Sequence, residues 1–497
     1  MLVRFIHLLA MLLLISSAAS AGNREEVIDK LNTASSMKVS DDAKSWQLFF
    51  DACLKITPPP TPLSDSFSMN TVWPGMDGWD KVARWAAQNE HMEHIFIETT
   101  KRAIVGLPYG SENVSAEYIA KRIFAEIGVD GNLNIFDFGY IESVKLACLW
   151  ATAESYVLFM EGETNRAMYL MMSELIVLRK FCDREFLEEK IIFMDMLSDA
   201  LANFRDMFYT YRSDIMPTQF RRLAKEWLPN IRVGPTSLLM PVGDQILSEA
   251  LLADLFNPQG IADAVKFNEV LAKMQVDGES LTGFGATRYW TKIAGGHLGY
   301  GDSEKRLQMI YDDWWRRWKL RLFHPVLDYP TQFENANAVK YAAVKMIVQN
   351  IEELFEERKT LLTQLNGTIV SAALCGYYNQ FGIFPSSIKK MYAQFLHRSN
   401  NLDPMRKNEL QGTLDWELYI GPAGQFHYRL IQKKKDELNQ KKTIISTMRG
   451  NVAIEYGECL LYGLSNNEEN NGGLDADSDS IIWPPMKSLE RNAGLLN

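Results

Sequence analysis

The chain has 497 residues, of which 47% are hydrophobic and 11% aromatic, a composition for packed cores and not for a disordered chain. At this length two or three domains are expected. The formal net charge of −10 and a pI near 5.4 argue against a general nucleic-acid binder.

The N-terminus reads as a cleavable secretory signal. Arg4 supplies the positive n-region, Leu8 to Ser16 an apolar h-region, and Ala19-Ser20-Ala21 a small-x-small cleavage pattern before Gly22. The apolar run is too short for a spanning helix, which needs roughly 20 apolar residues. The expectation is an extracytoplasmic mature chain without a transmembrane segment.

Residues 22–56 read as helical but polar, and Pro58-Pro59-Pro60-Thr61-Pro62 as an extended linker. The helical period starts at Trp79, with Val82, Trp85, Ala86 and Asn89 on one stripe. Tyr140 to Glu161 forms a strong helix that Gly162 ends, and Thr164 is placed to cap the next, Asn165 to Phe181. This gives a helical hairpin with no 34-residue repeat behind it. Further helices are expected at Leu187–Tyr211, Pro217–Trp227, Gln245–Phe256 and Glu304–Phe323. The glycines at 283, 285, 295, 296, 299 and 301 predict a flexible loop region. Between Pro330 and Pro385 no proline occurs, and Ala343, Ile347, Ile351, Leu354, Leu361, Leu365, Ile369 and Ala372 mark a helix of about 40 residues, roughly 60 Å if unbroken. Gly367 is a possible bend in it. Short β-like runs follow at Trp416–Ile420, Phe426–Ile431 and Glu458–Gly463.

The five cysteines (Cys53, Cys148, Cys182, Cys375, Cys459) are too few and too scattered for a disulfide scaffold. Bridges Cys148–Cys182 and Cys375–Cys459 stay open beside buried free thiols.

Motifs that would name a chemistry are missing: there is no H-E-x-x-H, G-x-S-x-G, G-K-[ST] or C-x-x-C. His91 and His94 sit at i, i+3 without a third metal ligand at supporting spacing. Ser386–Lys389 and Ser35–Lys38 match S-x-x-K without the partner motifs of serine–lysine acylation. Glu188, Glu189 and Asp195 share one helix and offer paired acid and base, although exposed helix carboxylates are common. Trp314, Trp315 and Trp318 among Arg316, Arg317 and Lys319 read as core packing with snorkelling cations, ahead of a membrane-headgroup contact.

One loop is dense in hard oxygen donors. Asn466 to Asp479 carries Asp475, Asp477 and Asp479 in alternation after Gly472-Gly473. Ca²⁺ takes six to eight such oxygens, and extracellular sites work with Kd around 10⁻⁴ to 10⁻³ M. The EF-hand pattern fails for want of a glycine at loop position six and a glutamate at twelve.

Two motifs carry a resemblance. Ala372 to Tyr378 with Gly382-Ile383-Phe384-Pro385-Ser386-Ser387-Ile388 resembles the end of the long helix in type II secretion pseudopilins. Leu461-Tyr462-Gly463-Leu464-Ser465, then Gly472 to Asp477, then Trp483, resembles the calcium-binding tail of the major pseudopilin. The resemblance implies a small sheet after the helix and a calcium ligand set of Leu464, Asn466, Asp475, Asp477 and Asp479. It departs from the family in that the helix is internal and charged on one face (Glu352, Glu353, Glu356, Glu357, Arg358, Lys359), so it cannot build a pilus core, and in that the signal is of the ordinary cleaved type and not the prepilin type. Residues 432–451 read as an insertion. The whole layout resembles large exported proteins of planctomycete-type bacteria.

The expected fold is mainly α, with a helical-hairpin N-terminal region and a long helix leading into a small α+β, pseudopilin-like unit. The expected segments are a signal (1–21), an N-terminal helix and Pro-rich linker (22–78), a helical domain (79–335), the long helix with its α+β unit (336–485) and a tail (486–497). The expected function is that of an exported, non-enzymatic scaffold or interaction protein with a protein partner and a calcium-stabilised tail. The alternatives are an extracytoplasmic hydrolase, with a site around 228–335, and a secretion-apparatus accessory. A hydrolase should gather perturbed carboxylates or histidines in a deep pocket; a scaffold should present grooves or apolar patches.

Overall fold

The computed structural model describes residues 23–34, 37–61, 63, 68–129, 132–234, 236–274, 283–407, 423–432, 442–464, 470–476 and 478–496. The signal-like segment 1–21, Ser35 and the β-like run 416–420 lie outside the described residues. The fold is mainly helical, with small antiparallel sheets confined largely to the C-terminal part.

The N-terminal part holds helices α1 (23–32), α2 (Trp46–Cys53), α3 (Trp79–Gln88), α4 (His91–Thr100) and α5 (Ala116–Ala120), then a two-residue ladder of β1 (Glu126–Ile127) with β2 (Phe136–Asp137). Next come α6 (Tyr140–Met160), α7 (Thr164–Phe181), α8 (Leu187–Tyr211) and α9 (Pro217–Arg222). The expected hairpin is α6–α7. Its turn is a Schellman closure: Glu163 N–H donates to Leu158 O at 2.8 Å and Gly162 N–H to Phe159 O at 3.1 Å. Gly162 adopts φ +81°, a conformation that favours glycine. Thr164 does not cap α7; it is the first helical residue, and the N-cap Glu163 makes no side-chain cap bond. α6 is buried nearly all round, because α2, α3, α4, α7 and α8 all pack on it.

After α9 the helix loosens into a π turn at Leu223–Trp227 and a 3₁₀ turn at Leu228–Ile231, so the regular helix is shorter than expected. α10 (Gly243–Asp254), α11 (Ala264–Met274), α12 (Gly283–Gly296) and α13 (Tyr300–Trp318) follow. The glycine-rich stretch is therefore a helix, not a loop. Its glycines cluster toward the two ends of α12, while Trp290 is buried and anchors it and α12 packs against α11.

The single long helix expected after Pro330 is two. α14 (Ala342–Ile347) stops at extended Val348, and Asn350 Oδ1 accepts the Glu352 N–H to start α15 (Glu352–Phe381). α15 has 30 residues, about 45 Å at 1.5 Å per residue. Gly367 serves contact: a Cβ there would lie 2.7 Å from Ile482 Cγ2. α8 and α15 form the central pair, tied by Arg205 to Thr368 Oγ1 (2.7 Å) and Gln364 Oε1 (2.6 Å).

Beyond α15, β3 (Asp403–Lys407) pairs with β4 (Ala423–Gly424). β5 (His427–Leu430), β8 (Cys459–Leu464) and β9 (Asp479–Trp483) form a three-stranded sheet with β8 central. The segment read as an insertion overlaps a hairpin that runs beyond it, β6 (Lys442–Thr447) with β7 (Gly450–Glu455). The tail forms α16 (Met486–Asn492), whose Ser488 and Arg491 bond buried Asp206 of α8, while Lys487 Nζ reaches Val72 O at 2.8 Å and Asn203 Oδ1 at 3.0 Å.

One hydrophobic cluster runs from Val27 to Trp483 and includes Leu63, Val72 and Met76, which follow the proline run or lie near it. A smaller cluster under β6–β7 gathers Ile431, Ile445, Val452, Ile454 and Leu460. All five cysteines are buried and none is bridged, so the free-thiol alternative holds in this structure. Among the described residues no helix is long and apolar enough to cross a membrane.

Candidate functional site

The acidic loop closes on itself. Of the expected ligands, Asn466 and Asp477 lie outside the described residues. Asp479 is 1% exposed, and its carboxylate accepts N–H bonds from Gly473 (2.9 Å) and Asn471 (3.2 Å). Asp475 accepts from Ser478 Oγ at 2.9 Å. Leu464 donates its N–H to Asp403 Oδ2 at 3.0 Å. The loop is also stitched to β6, with Ser446 N–H to Leu474 O and Ala476 N–H to Ser446 O, both 3.0 Å. Asp475 and Asp479 thus hold the turn, and among the described residues no group of three His, Cys, Asp or Glu side chains converges as a metal shell. Asp403, which sequence reading passed over, is fully buried beneath this loop, and burial raises its carboxyl to about 6.

The other sequence candidates disperse. His91 Nε2 lies 3.4 Å from Ala52 O, and Glu93 pairs with Arg166 at 2.6 Å. Ser386 and Lys389 are both exposed on the turn after α15. Glu189 is wholly buried and structural: it accepts from Tyr109 OH (2.6 Å), Tyr140 OH (2.5 Å) and Arg184 Nε (2.9 Å).

Asp195 is the exception. From the exposed side of α8 it shares a hydrogen bond with Glu357 of α15. Burial first, and then the charge of Asp195, push the Glu357 carboxyl up to about 7; Asp195 is raised by burial and by Glu353. A pair in hydrogen-bond contact is too close for the water or sugar ring of a glycosidase, whose carboxyls stand about 5 to 9.5 Å apart.

Glu353 links this pair to a groove. The groove has a volume of about 580 Å³ and lies between the segment from Trp314 to Glu334 and the first two turns of α15. Trp314, Phe323, Tyr329 and Phe355 supply aromatic walls. Five carboxylates (Asp328, Glu334, Glu352, Glu353, Glu356) face two cations, Arg317 and Lys359. Both cations are engaged, Arg317 with Asp313 at 2.9 Å and Lys359 with Glu356 at 2.6 Å. Glu334 accepts the Thr331 N–H at 2.6 Å. Among the described residues Glu352 and Glu353 have no cationic partner within salt-bridge distance. Phe323 sits at φ +56°, a left-handed backbone uncommon for a bulky residue.

Trp314 and Trp318 are buried, as core packing requires. The Trp318 indole donates to Leu238 O at 2.9 Å, and Arg358 stacks over its ring at 3.8 Å. The Trp314 indole N–H is buried without an acceptor. No histidine, cysteine or serine is among the groove-lining residues described.

Comparison of the chain with protein-family models, with curated proteins and with solved structures gave no match.

Proposed function

We propose that this is an exported, non-enzymatic interaction protein that presents the groove beside α15 to a protein partner. The observation that carries the reading is the groove itself. It is open, aromatic-walled and acidic, and its described lining offers carboxylates but no histidine, cysteine or serine. Apolar concavities with a few polar groups are the usual form of binding sites. The test is site-specific photo-crosslinking from Tyr329, which is 67% exposed at the groove. A discrete protein adduct in native cells is expected; a probe that captures nothing rejects the reading.

Export rests on the Arg4, Leu8–Ser16 and Ala19-Ser20-Ala21 pattern. Cell fractionation with N-terminal sequencing should give an envelope or secreted form starting at Gly22, and a cytoplasmic form retaining Met1 would refute it. The pseudopilin likeness is supported by a long helix that ends at Gly382 and leads to antiparallel strands. An experimental structure with another strand order after α15 would remove that support. Calcium is supported only by the density of oxygen donors in 466–479; wild type without a calcium-dependent rise in Tm ends that reading, and a rise lost in Asp477→Ala sustains it.

Among the described residues the Asp195–Glu357 pair is the feature that favours a hydrolase, since carboxyls sharing a proton serve acid–base catalysis in some enzymes. Asp195→Asn should leave partner binding in place; a hydrolytic activity abolished by it would favour the alternative.

A further inference from the structure

Building on the partner-groove reading, we propose that the groove's ligand is an extended peptide segment carrying lysine or arginine. Charge sets the first condition. The lining carries a net charge of −3, and its two cations are already paired within the protein. Glu352 and Glu353, exposed at the start of α15, have no cationic partner among the described residues, and Glu353 lies beside the Asp195–Glu357 pair. A basic side chain entering here relieves like-charge repulsion as well as gaining attraction, and the acidic field speeds its approach. A neutral ligand gains neither.

The walls set the second condition. Tyr329, Phe323 and Phe355 offer faces for the methylene stem and the cationic head of lysine or the guanidinium plane of arginine. The protein already stacks Arg358 on Phe355 and Trp318 from the interior side, at 5.4 and 3.8 Å.

Trp314 sets the third. It is 1% exposed, the most buried of the lining aromatics, and its indole N–H has no acceptor. A buried donor left unpaired costs about 1–3 kcal/mol. A bare amine cannot satisfy it, because an ammonium only donates. A peptide brings a carbonyl with every residue, at steps of roughly 3.3 Å.

The probe is a capped peptide, acetyl-Gly-Lys-Gly-Lys-Gly-amide, titrated by calorimetry into the full mature chain. Its twin carries Nε-acetyl-lysine, which keeps the length and the carbonyls and removes the charge. The lysine peptide is expected to bind at least about tenfold more tightly than the twin, about 1.4 kcal/mol. The preference should shrink between about 20 and 200 mM salt. Glu352→Gln and Glu353→Gln, both at exposed positions, should each weaken the lysine peptide several-fold and leave the twin unchanged. Trp314→Phe should weaken both. Equal affinity for the two peptides, no binding by either, or binding of a neutral glucose tetrasaccharide alone overturns the proposal. If Tyr329 captures a partner while the peptides bind equally, the basic-ligand class fails and the partner groove stands. If Tyr329 captures nothing, both fail.

Discussion

Two regions of this molecule are rich in carboxylates, and they use them in opposite ways. In the loop from Asn470 to Asp479 the two described acids are taken up by the loop itself: Asp479 is buried and accepts backbone N–H groups, and half-buried Asp475 accepts the Ser478 hydroxyl. In the groove, Glu352 and Glu353 stand on a helix start with no cationic partner among the described residues. Acid density alone does not distinguish the two. What distinguishes them is whether the backbone nearby has unpaired donors. A tight turn with Gly472 and Gly473 at positive φ points N–H groups at the acids. A helix has unpaired donors only in its first turn, and at α15 two of these find other acceptors: Asn350 Oδ1 takes the Glu352 N–H and Ile351 O the Leu354 N–H.

The largest loss of stability is expected on removing a carboxylate whose oxygens are all engaged. Asp206 is the extreme case: it is buried beside Lys487 and Arg491 and bonded by Ser488 and Tyr156. Burial opposes its ionised form, but Lys487 and Arg491 hold its carboxyl below the usual range. Asp206→Ala should cost about 3–5 kcal/mol in chemical denaturation, because Lys487 is left buried without its counter-charge. Asp479→Ala should cost about 2–3 kcal/mol, equally with and without calcium, by stranding the Asn471 and Gly473 N–H groups. A loss seen only in calcium would make Asp479 a ligand instead.

The Glu357 carboxyl gives a pH test. Its folded pKa is raised to about 7, above the usual carboxylate value, so the stability it supplies is present at low pH and falls as pH rises toward and through about 7. Glu357→Gln should flatten that part of a Tm-against-pH curve. Glu174, fully buried on α7 and raised by burial to about 8, acts in the same direction, so Glu174→Gln should flatten the curve to a higher pH. The smallest effect belongs to the groove acids. Glu352→Gln should change stability by less than about 0.5 kcal/mol, as expected for an exposed charge without a partner.

Much of the helical frame was legible in the sequence. Leu187–Tyr211 and Tyr140–Met160 run over five or more turns without proline or glycine, and the second ends at a clear signal, Gly162. Glycine misled the reading at 283–296, where Trp290 and the packing on α11 outweigh the low helix propensity. The break at 348–351 carries no proline or glycine, and only the Asn350 cap marks it. The groove was not legible, because its walls come from separate segments; residues 352–359 read only as one charged face. The signal was present in Phe355 among Glu352, Glu353 and Glu356, but nothing local brings Trp314 and Tyr329 opposite them. The acidic loop was easy to see in the sequence, but the hydrogen bonds that its own backbone gives Asp479 leave no trace in composition.

Amide hydrogen exchange of the full chain, with and without the lysine peptide, tests the central contrast most directly. Exchange should slow in the peptides covering 328–334 and 352–359 and stay unchanged in the peptide covering 470–479. Protection at 470–479 instead, or at neither place, would contradict the account.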